Sequence, residues 1–289
     1  MRYGTGVALV VVASLMWSLM SLAIRLIEGA DTWQVLFWRS AGMVPVLVAI
    51  ILVRSGGLWR PLLAVGLAGV IGGAGLVAAF AGAIFAIQTT TVANAVFLYA
   101  ASPFLAAIFG WLILREKVAP ATWAAIGLAG VGIFLMVREG LSLGMGKGSV
   151  AALLSAAGFA AFTLALRWRR LGDMYPALLI GALMSMAVAA MVTLSGGGTL
   201  AVSLHDAGLA LAAGAVLLGM GLALYTLGSR AVPAAELTLL AMIEVLLAPV
   251  WVWMVVGETA SPGTWIGGAV LLAAVAGNAL AGLRRGAPA

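Results

Sequence analysis

Residues 111–123 read W-L-I-L-R-E-K-V-A-P-A-T-W, and the phrase returns at residues 253–265 as W-M-V-V-G-E-T-A-S-P-G-T-W. Five residues match in register, and 142 positions separate the members of each pair. The matched pairs are Trp111 with Trp253, Glu116 with Glu258, Pro120 with Pro262, Thr122 with Thr264 and Trp123 with Trp265, and outside the phrase the same offset joins Arg25 with Arg167 and Asp31 with Asp173. Taken singly, these residues fit interfacial Trp, a polar link and Pro in the first turn of a helix. The recurrence of the whole phrase indicates an internal repeat.

The composition indicates a membrane protein. Of the 289 residues, 64% are hydrophobic and 8% are charged, and the mean hydropathy is +1.20, whereas a soluble domain carries about 25% charged residues. The net charge of +6 would suit nucleic acid if it formed a basic face, but Lys and Arg lie in short links between apolar runs. Cysteine is absent and His205 is the single histidine. Disulfides, thiolate catalysis, metal sites and cofactors are therefore not expected.

Ten apolar runs approach the length of about 20 residues that a transmembrane helix needs. They are predicted at residues 5–27, 33–53, 62–87, 92–114, 121–137, 149–166, 175–194, 207–227, 235–256 and 263–283. The first run is too long for a signal-peptide core, so it is expected to stay attached, and no link predicts a soluble domain. Pro45, Pro103 and Pro249 interrupt apolar runs and are predicted kinks. Of these, Pro103 and Pro249 are the candidate hinges of a gate.

The distribution of basic residues predicts the orientation. With the N-terminus inside, the inner links collect Arg2, Arg54, Arg60, Arg115, Lys117, Arg167, Arg169, Arg170, Arg230, Arg284 and Arg285, while the outer half receives Arg25, Arg39, Arg138 and Lys147. An excess of Lys and Arg marks the cytoplasmic side of a membrane protein. Both termini are therefore predicted to be cytoplasmic, which requires an even number of spans.

Each half of the chain, 1–142 and 143–289, is predicted to contain five helices. Because five is odd, the second half must enter the membrane inverted relative to the first. The predicted fold is an all-α integral membrane protein with ten transmembrane helices in two five-helix inverted repeats. Such halves, related by a pseudo-two-fold axis in the membrane plane, are frequent in transporters, whose substrate site lies between them near the midplane.

Further residues carry a family resemblance. Trp17 lies in the first helix, Arg39 lies early in the second, and Pro103 precedes Glu116 by thirteen residues in the fourth. Together with the ten helices in inverted halves, these residues make the chain resemble the drug/metabolite transporter superfamily, EamA type, and within it the YddG-like bacterial amino-acid exporters. The resemblance covers essentially the whole chain.

Two departures from the family pattern concern the first and ninth helices. The family often has Gly where this chain has Ser18, and often has Glu-Pro where this chain has Glu244 and Val245, with Pro249 four residues later. The resemblance implies secondary transport by alternating access, with export of small metabolites across the bacterial inner membrane. It also implies a central cavity lined by the first, third, fourth, sixth, eighth and ninth helices.

Glu244 is the most informative single residue because it lies near the middle of the ninth helix. A charged side chain there costs about 2.5 to 3.5 kcal/mol on insertion scales, so it should face a cavity or a partner. Three roles are open: a structural hydrogen bond to a neighbouring helix, a contact for a substrate ammonium group, and a proton-coupling site.

Aromatic and hydroxyl side chains complete the candidate substrate site. With Glu244, the predicted substrate-binding residues are Trp17, Ser21, Tyr99, Ser102, Phe159, Thr163 and Tyr225. Aromatic rings could stack on an aromatic substrate or hold an ammonium group by cation–π contact. The alternatives are packing against lipid or other helices for the rings, and bonds to their own backbone for the hydroxyls.

Two polar sites are open to simpler explanations. Arg39 is expected to snorkel to the outer interface, or else to pair with Glu28, Asp31 or a substrate carboxylate. His205 and Asp206 are expected to form a solvated pair in a loop. The Trp residues near helix ends, including Trp251, are expected to anchor the protein at the membrane interface.

The absence of catalytic groupings at membrane depth argues against an enzyme. A membrane-embedded enzyme needs a nucleophile with a base, paired carboxylates or metal ligands, and no catalytic residue is predicted here. The lack of several Lys or Arg residues at depth favours a zwitterionic or neutral small molecule over a phosphate-bearing one. An uptake permease, a facilitator and a flippase of lipid-linked intermediates remain open. The expected partners are this solute and the lipid bilayer, and a monomer is compatible with the sequence.

Overall fold

A computed structural model describes residues 2–169 and 173–286, and within these two ranges the chain is helical and contains no strand. In order the helices are α1 (Tyr3–Arg25), α2 (Thr32–Ser55), α3 (Trp59–Thr89), α4 (Val92–Tyr99), α5 (Ser102–Leu114), α6 (Pro120–Ser142), α7 (Gly146–Trp168), α8 (Tyr175–Ser195), α9 (Leu204–Ala212), a π-helix (Ala213–Met220), α10 (Gly221–Gly228), α11 (Ala234–Val256) and α12 (Pro262–Gly286). Arg170, one of the basic residues assigned to the inner links, lies outside the described residues.

Ten helical segments of the described chain are long and apolar enough to cross a membrane, which confirms the predicted all-α class and number of spans. The fourth span, Val92–Leu114, consists of α4 and α5, and the eighth, Leu204–Gly228, consists of α9, the π-helix and α10. Because each span crosses once and the links are short, helix ends gather at two opposite ends of the bundle. We call these the Arg25 end and the Arg167 end, after the residues that terminate or nearly terminate α1 and α7.

The repeated phrase adopts the same local structure in both places. Its matching features are the helix ends at Leu114 and Val256, the left-handed residues Arg115 (φ 55°) and Gly257 (φ 72°), and the helix starts at Pro120 and Pro262. A left-handed residue commonly ends a helix and is usually Gly. Proline suits the first turn because its missing N–H would have no partner there.

The matched pair Asp31 and Asp173 also has one role in common. The Asp31 carboxylate accepts hydrogen bonds from the backbone N–H groups of Trp33 (2.8 Å) and Gln34 (2.9 Å) at the start of α2. The Asp173 carboxylate accepts one from the N–H of Tyr175 (3.1 Å) at the start of α8. Both aspartates satisfy N–H groups that a helix start leaves free.

The main backbone break inside a helix lies at a glycine rather than at a predicted proline kink. Gly66 leaves the helical region within α3, with φ 50° and ψ −141°. Pro45 and Pro249 lie inside helices α2 and α11, which continue through them. Pro103 is the second residue of α5, and a two-residue turn before this helix separates it from α4. The prolines therefore interrupt the spans less than the sequence suggested, except at Pro103.

Helices from the two halves of the chain pack against each other. α1 contacts α10 and α11, α2 contacts α8, α3 contacts α7 and α8, and α6 contacts α12. Glycines permit the closest approaches: a Cβ on Gly75 of α3 would lie 2.7 Å from the carbonyl oxygen of Gly158 on α7, and one on Gly132 of α6 would lie 2.5 Å from that of Gly267 on α12. Small residues allow helix backbones to meet in this way.

Candidate functional site

Arg39 lies inside the bundle and has no acidic partner among the residues that the structure describes. Seven residues separate it from the start of α2, which places it roughly 10 Å from the Arg25 end. Its side chain is 4% exposed, and its guanidinium carbon lies 4.4 Å from the centre of the Phe80 ring on α3, in cation–π range. In the described part of the chain, Nε and Nη2 of Arg39 have no hydrogen-bond partner.

The expectation that Arg39 snorkels is therefore wrong, and it pairs with neither Glu28 nor Asp31. The physical reason is the packing of the eighth span on this turn of α2. A Cβ on Gly214, in the π-helix, would lie 1.8 Å from the carbonyl oxygen of Arg39, so the two backbones are in direct contact. The eighth span thus covers the backbone of this turn, and the Phe80 ring lies against the guanidinium group. π-helical turns are rare and often occur at functional sites.

Tyr99 and Glu244 are two further polar residues within the spans. Tyr99 ends α4, seven residues from the start of its span, at about the same level as Arg39. Glu244, on α11, is partly exposed and makes no ion pair or hydrogen bond with any residue that the structure describes. Arg39 and Glu244 thus place one cation and one carboxylate within the spans, one in each half of the chain.

The four predicted aromatic residues form two ring contacts. The Tyr99 and Phe159 ring centres are 6.0 Å apart, and Phe159 is in turn 5.9 Å from Phe162. The Trp17 and Tyr225 ring centres are 5.1 Å apart. All four predicted rings are partly exposed.

The three predicted hydroxyl residues are placed differently. Ser102 begins α5 beside Tyr99 and is 8% exposed, and Ser21 on α1 is 5% exposed. The Thr163 hydroxyl donates to the carbonyl oxygen of Phe159 at 3.0 Å, one turn back in α7. Thr163 therefore follows the alternative of bonding its own helix.

At the Arg25 end, a partly buried cluster joins the two halves. Arg25 forms an ion pair with Glu258, with an Nε–Oε2 distance of 2.7 Å, and donates to the carbonyl oxygens of Ile87 (2.6 Å) and Thr90 (3.1 Å). The other carboxylate oxygen of Glu258 accepts from the N–H of Val92 at 2.6 Å. This cluster ties the ends of α1 and α3, the start of α4 and the α11–α12 link together.

At the Arg167 end, the contacts are fewer and more exposed. Arg167 forms an ion pair with Glu116, and the Tyr3 hydroxyl lies 2.5 Å from the Glu236 carboxylate. The Arg167 and Glu116 side chains are 44% and 34% exposed, against 23% and 16% for Arg25 and Glu258. The repeat matches Arg25 with Arg167 and Glu116 with Glu258, but nothing in the sequence indicated that the arginines and glutamates would pair.

Two further expectations from the sequence are wrong in part or in full. His205 and Asp206 do pair, with 3.2 Å between Nδ1 and Oδ1, but they lie in α9 rather than in a loop. Asp206 is 2% exposed rather than solvated, because its carboxylate accepts from the backbone N–H groups of Glu28, Gly29 and Ala30 in the α1–α2 link at 3.0 to 3.2 Å. His205 remains exposed beside it.

The second expectation concerns Trp251, whose indole N–H donates to the Ser18 hydroxyl at 2.8 Å. It therefore fastens α11 to α1 instead of anchoring the interface. Ser18, where the family often has Gly, supplies the acceptor.

The hinge candidate Pro249 lines a cavity near the Arg25 end. The cavity has a volume of about 260 Å³ and is lined by Ala93, Pro249, Trp253, Glu258, Thr259, Ala260 and Trp265. It lies between the start of α4 and the end of α11. In the described ranges, no group of three or more His, Asp or Glu residues is placed to hold a metal ion.

The chain is similar to a known transporter family, to a curated protein and to a solved structure. Residues 4–138 match the EamA-like transporter family. A stretch of 140 residues, 47% of this chain, is 26% identical to Solute carrier family 35 member G1 of Mus musculus and spans 36% of that protein. A solved structure described as "Crystal structure of protein" aligns with a TM-score of 0.65 at 19% identity, over 99% of this chain and 100% of that chain. At this identity, the likeness concerns the fold alone.

The family match and the mouse relative both support a membrane transporter of small solutes rather than an enzyme. The ten candidate spans agree with a multi-pass membrane protein. Over residues 4–138, the chain therefore matches the EamA-like transporter family, in agreement with the resemblance of its sequence to the drug/metabolite transporter superfamily.

Proposed function

We propose that the protein is a secondary transporter that exports amino acids, aromatic or other neutral ones, across the bacterial inner membrane by alternating access. Both termini lie in the cytoplasm, as the basic residues predict, so the Arg167 end faces the cytoplasm. The observation that carries this proposal is Glu244, a partly exposed carboxylate in the middle of an apolar span that has no cationic partner in the described chain.

A substrate ammonium group is the complement that Glu244 lacks. Holding a lone carboxylate at this depth costs about 2.5 to 3.5 kcal/mol, and a cationic ligand would offset that cost during transport. Of the three roles considered for Glu244, a structural hydrogen bond has the least support, since no described residue donates to its carboxylate. Proton coupling is compatible with ammonium binding, because one carboxylate can alternate between a proton and a substrate.

The surrounding rings favour an apolar or aromatic side chain on the transported molecule. Tyr99 and Phe159 are in contact with each other, as are Trp17 and Tyr225. Ring faces of this kind bind aromatic groups by offset or edge contacts and add cation–π attraction for an ammonium group. Neutral amino acids, and aromatic ones first, combine these features.

Uptake into proteoliposomes tests the proposal. Radiolabelled Phe and Trp are offered to vesicles containing the purified protein, with and without an imposed pH gradient. We expect saturable uptake that excess unlabelled amino acid competes away, and stimulation by the gradient would identify coupled transport. If no amino acid is taken up, the amino-acid assignment is wrong and other solutes of the family must be sought.

Substituting Glu244→Gln removes the charge while keeping the shape. We expect uptake of Phe to fall by about tenfold or more, because a charge-assisted contact to the ammonium group is lost, and the response to the pH gradient to disappear. The matched control is Glu28→Gln, which changes an exposed carboxylate in the α1–α2 link and should transport like the unaltered protein. Full, gradient-dependent transport by Glu244→Gln would exclude both roles.

A further inference from the structure

Arg39 has the features of an anion-binding group. Its side chain is 4% exposed, and two of its guanidinium nitrogens have no hydrogen-bond partner in the described chain. A buried charged donor without an acceptor is costly, so such a group needs a compensating role. The Phe80 ring offsets part of the cost through its face but accepts no conventional hydrogen bond.

In the internal repeat, the position equivalent to each of the two charged residues holds a neutral residue. The position 142 residues after Arg39 is Gly181, and the position 142 residues before Glu244 is Ser102. Each half therefore contributes one charge of opposite sign. A zwitterionic substrate carries a group of opposite charge for each of the two.

We infer that Arg39 is the residue that recognises the carboxylate of the transported molecule, an inference that rests on the proposed function. Guanidinium groups bind carboxylates through parallel N–H donors, which gives both affinity and a fixed orientation. Arg39 then sets the substrate class: molecules with a carboxylate are selected, and amines of the same shape without one are rejected.

Ligand-induced thermal stabilisation of the purified protein tests this role. The probes are Phe, 3-phenylpropionate, which lacks the ammonium group, and phenylethylamine, which lacks the carboxylate. We expect Arg39→Gln to lower the affinity for both acids by about 10- to 100-fold and to leave that for the amine unchanged. Arg39→Lys should fall between, because lysine keeps the charge but not the planar pair of donors, and it decides the question if Arg39→Gln fails to fold.

The outcomes separate the inference from the proposed function. If both acids bind the unaltered protein and Arg39→Gln equally well, Arg39 is not the carboxylate residue, while amino-acid binding stands. If 3-phenylpropionate binds through Arg39 but Phe does not bind, the amino-acid assignment falls and the carboxylate site stands. If neither acid binds the unaltered protein, both are overturned.

Arg25 and Arg167 support a second inference on independent observations. The acceptors of Arg25 are the Glu258 carboxylate and the carbonyl oxygens of Ile87 and Thr90, and we call these three groups the Arg25 socket. The offset of 142 positions converts them into Glu116, Ser229 and Val232, which we call the Arg167 socket.

The two sockets are filled to different extents. Arg25 contacts all three groups of its socket, whereas Arg167 contacts Glu116 and makes no bond to the carbonyl oxygen of Ser229 or Val232, all of which the structure describes. The half-filled pair is also the more exposed one. The Arg25 end is therefore held together by contacts that the Arg167 end lacks.

We also propose that transport exchanges the two sockets. If the halves are inverted copies, the conformation open at the Arg25 end is reached when each half adopts the arrangement that the other has here. Arg167 then gains the carbonyl oxygens of Ser229 and Val232, and Arg25 loses those of Ile87 and Thr90. Each arginine stays with its glutamate, so the ion pairs guide the movement and the carbonyl contacts decide which end is shut.

Side-specific labelling tests the exchange. The chain has no cysteine, so an Ala100→Cys reporter in the turn between α4 and α5 reacts without background. A membrane-impermeant maleimide is applied from the Arg25 side of reconstituted vesicles. The labelling rate reports the ratio of molecules open at the Arg25 end to molecules shut there. We expect Arg25→Gln to raise this ratio by about 5- to 30-fold, because it weakens the contacts that shut the Arg25 end. Arg167→Gln should lower the ratio, because it weakens the opposite state.

Opposite changes on one reporter are the signature of the exchange. If both substitutions shift labelling in the same direction, or neither shifts it, the proposal is wrong. A misfolded variant would label equally from both sides. In that case Arg25→Lys and Arg167→Lys replace the glutamine variants, because lysine keeps the ion pair but presents different donors to the carbonyl oxygens. Arg25→Lys should then raise the labelling and Arg167→Lys should lower it.

Discussion

The Arg25 end and the Arg167 end each contain an Arg–Glu ion pair at positions 142 apart, yet the two pairs are buried to different degrees. Arg25 and Glu258 are largely buried and also bind three backbone groups, from Ile87, Thr90 and Val92. The equivalent pair at the other end is more exposed. The backbone contacts, and not the ion pair, thus distinguish the two ends.

The largest expected effect comes from removing one glutamate of each pair. Glu258→Ala leaves Arg25 and the N–H of Val92 without their acceptor in a largely buried place, and we expect it to destabilise the protein by roughly 2 to 4 kcal/mol. Glu116→Ala removes a partly exposed pair, which is worth at most about 1 kcal/mol. Thermal and denaturant unfolding in detergent measure both. Equal losses would mean that the two ends are held alike.

A smaller difference in stability is expected between alanine substitutions at two equivalent glycines, one near each end. Gly66 lies near the Arg167 end with φ 50° and ψ −141°, and its repeat equivalent, Gly208, lies in the regular helix α9 near the Arg25 end. A Cβ would meet nothing within 4 Å at either position. We expect Gly66→Ala to cost about 1 to 2 kcal/mol because alanine is strained at this φ, and Gly208→Ala to be neutral or stabilising by up to about 1 kcal/mol.

The same unfolding measurements decide this second pair. Because neither position is crowded, a loss of stability at Gly66 alone isolates the backbone conformation as its cause. Similar changes in both variants would show that α3 is not bent at Gly66, and the contrast between the ends would then rest on the arginine sockets alone.

The number of spans and the repeat were accessible from the sequence because both depend on local patterns. Long apolar runs predict spans, and a phrase that encodes a helix end, a left-handed residue and a proline start keeps its local structure in both copies. The break inside α3 was not foreseen, since glycine is frequent in this chain and nothing local marks Gly66 as the one residue that leaves the helix.

The site was less accessible because it depends on which helices meet. The residue types at depth, including Glu244 and Tyr99, could be listed from the sequence, and their role in binding stays a prediction. The burial of Arg39 depends on the π-helix, whose contact with α2 no local pattern reveals. The only signal was a basic residue well inside an apolar run. Asp206 was misjudged for the same reason, since its three N–H donors come from the distant α1–α2 link.

Counterflow tests the central claim, a carrier that presents one amino-acid site to each side in turn. Proteoliposomes are preloaded with unlabelled Phe, diluted into a trace of radiolabelled Phe, and sampled over time. We predict a transient accumulation of label above equilibrium, because each return of the site brings label in, and no such overshoot in Glu244→Gln. Uptake of label without an overshoot, or no uptake by the unaltered protein, would contradict the account.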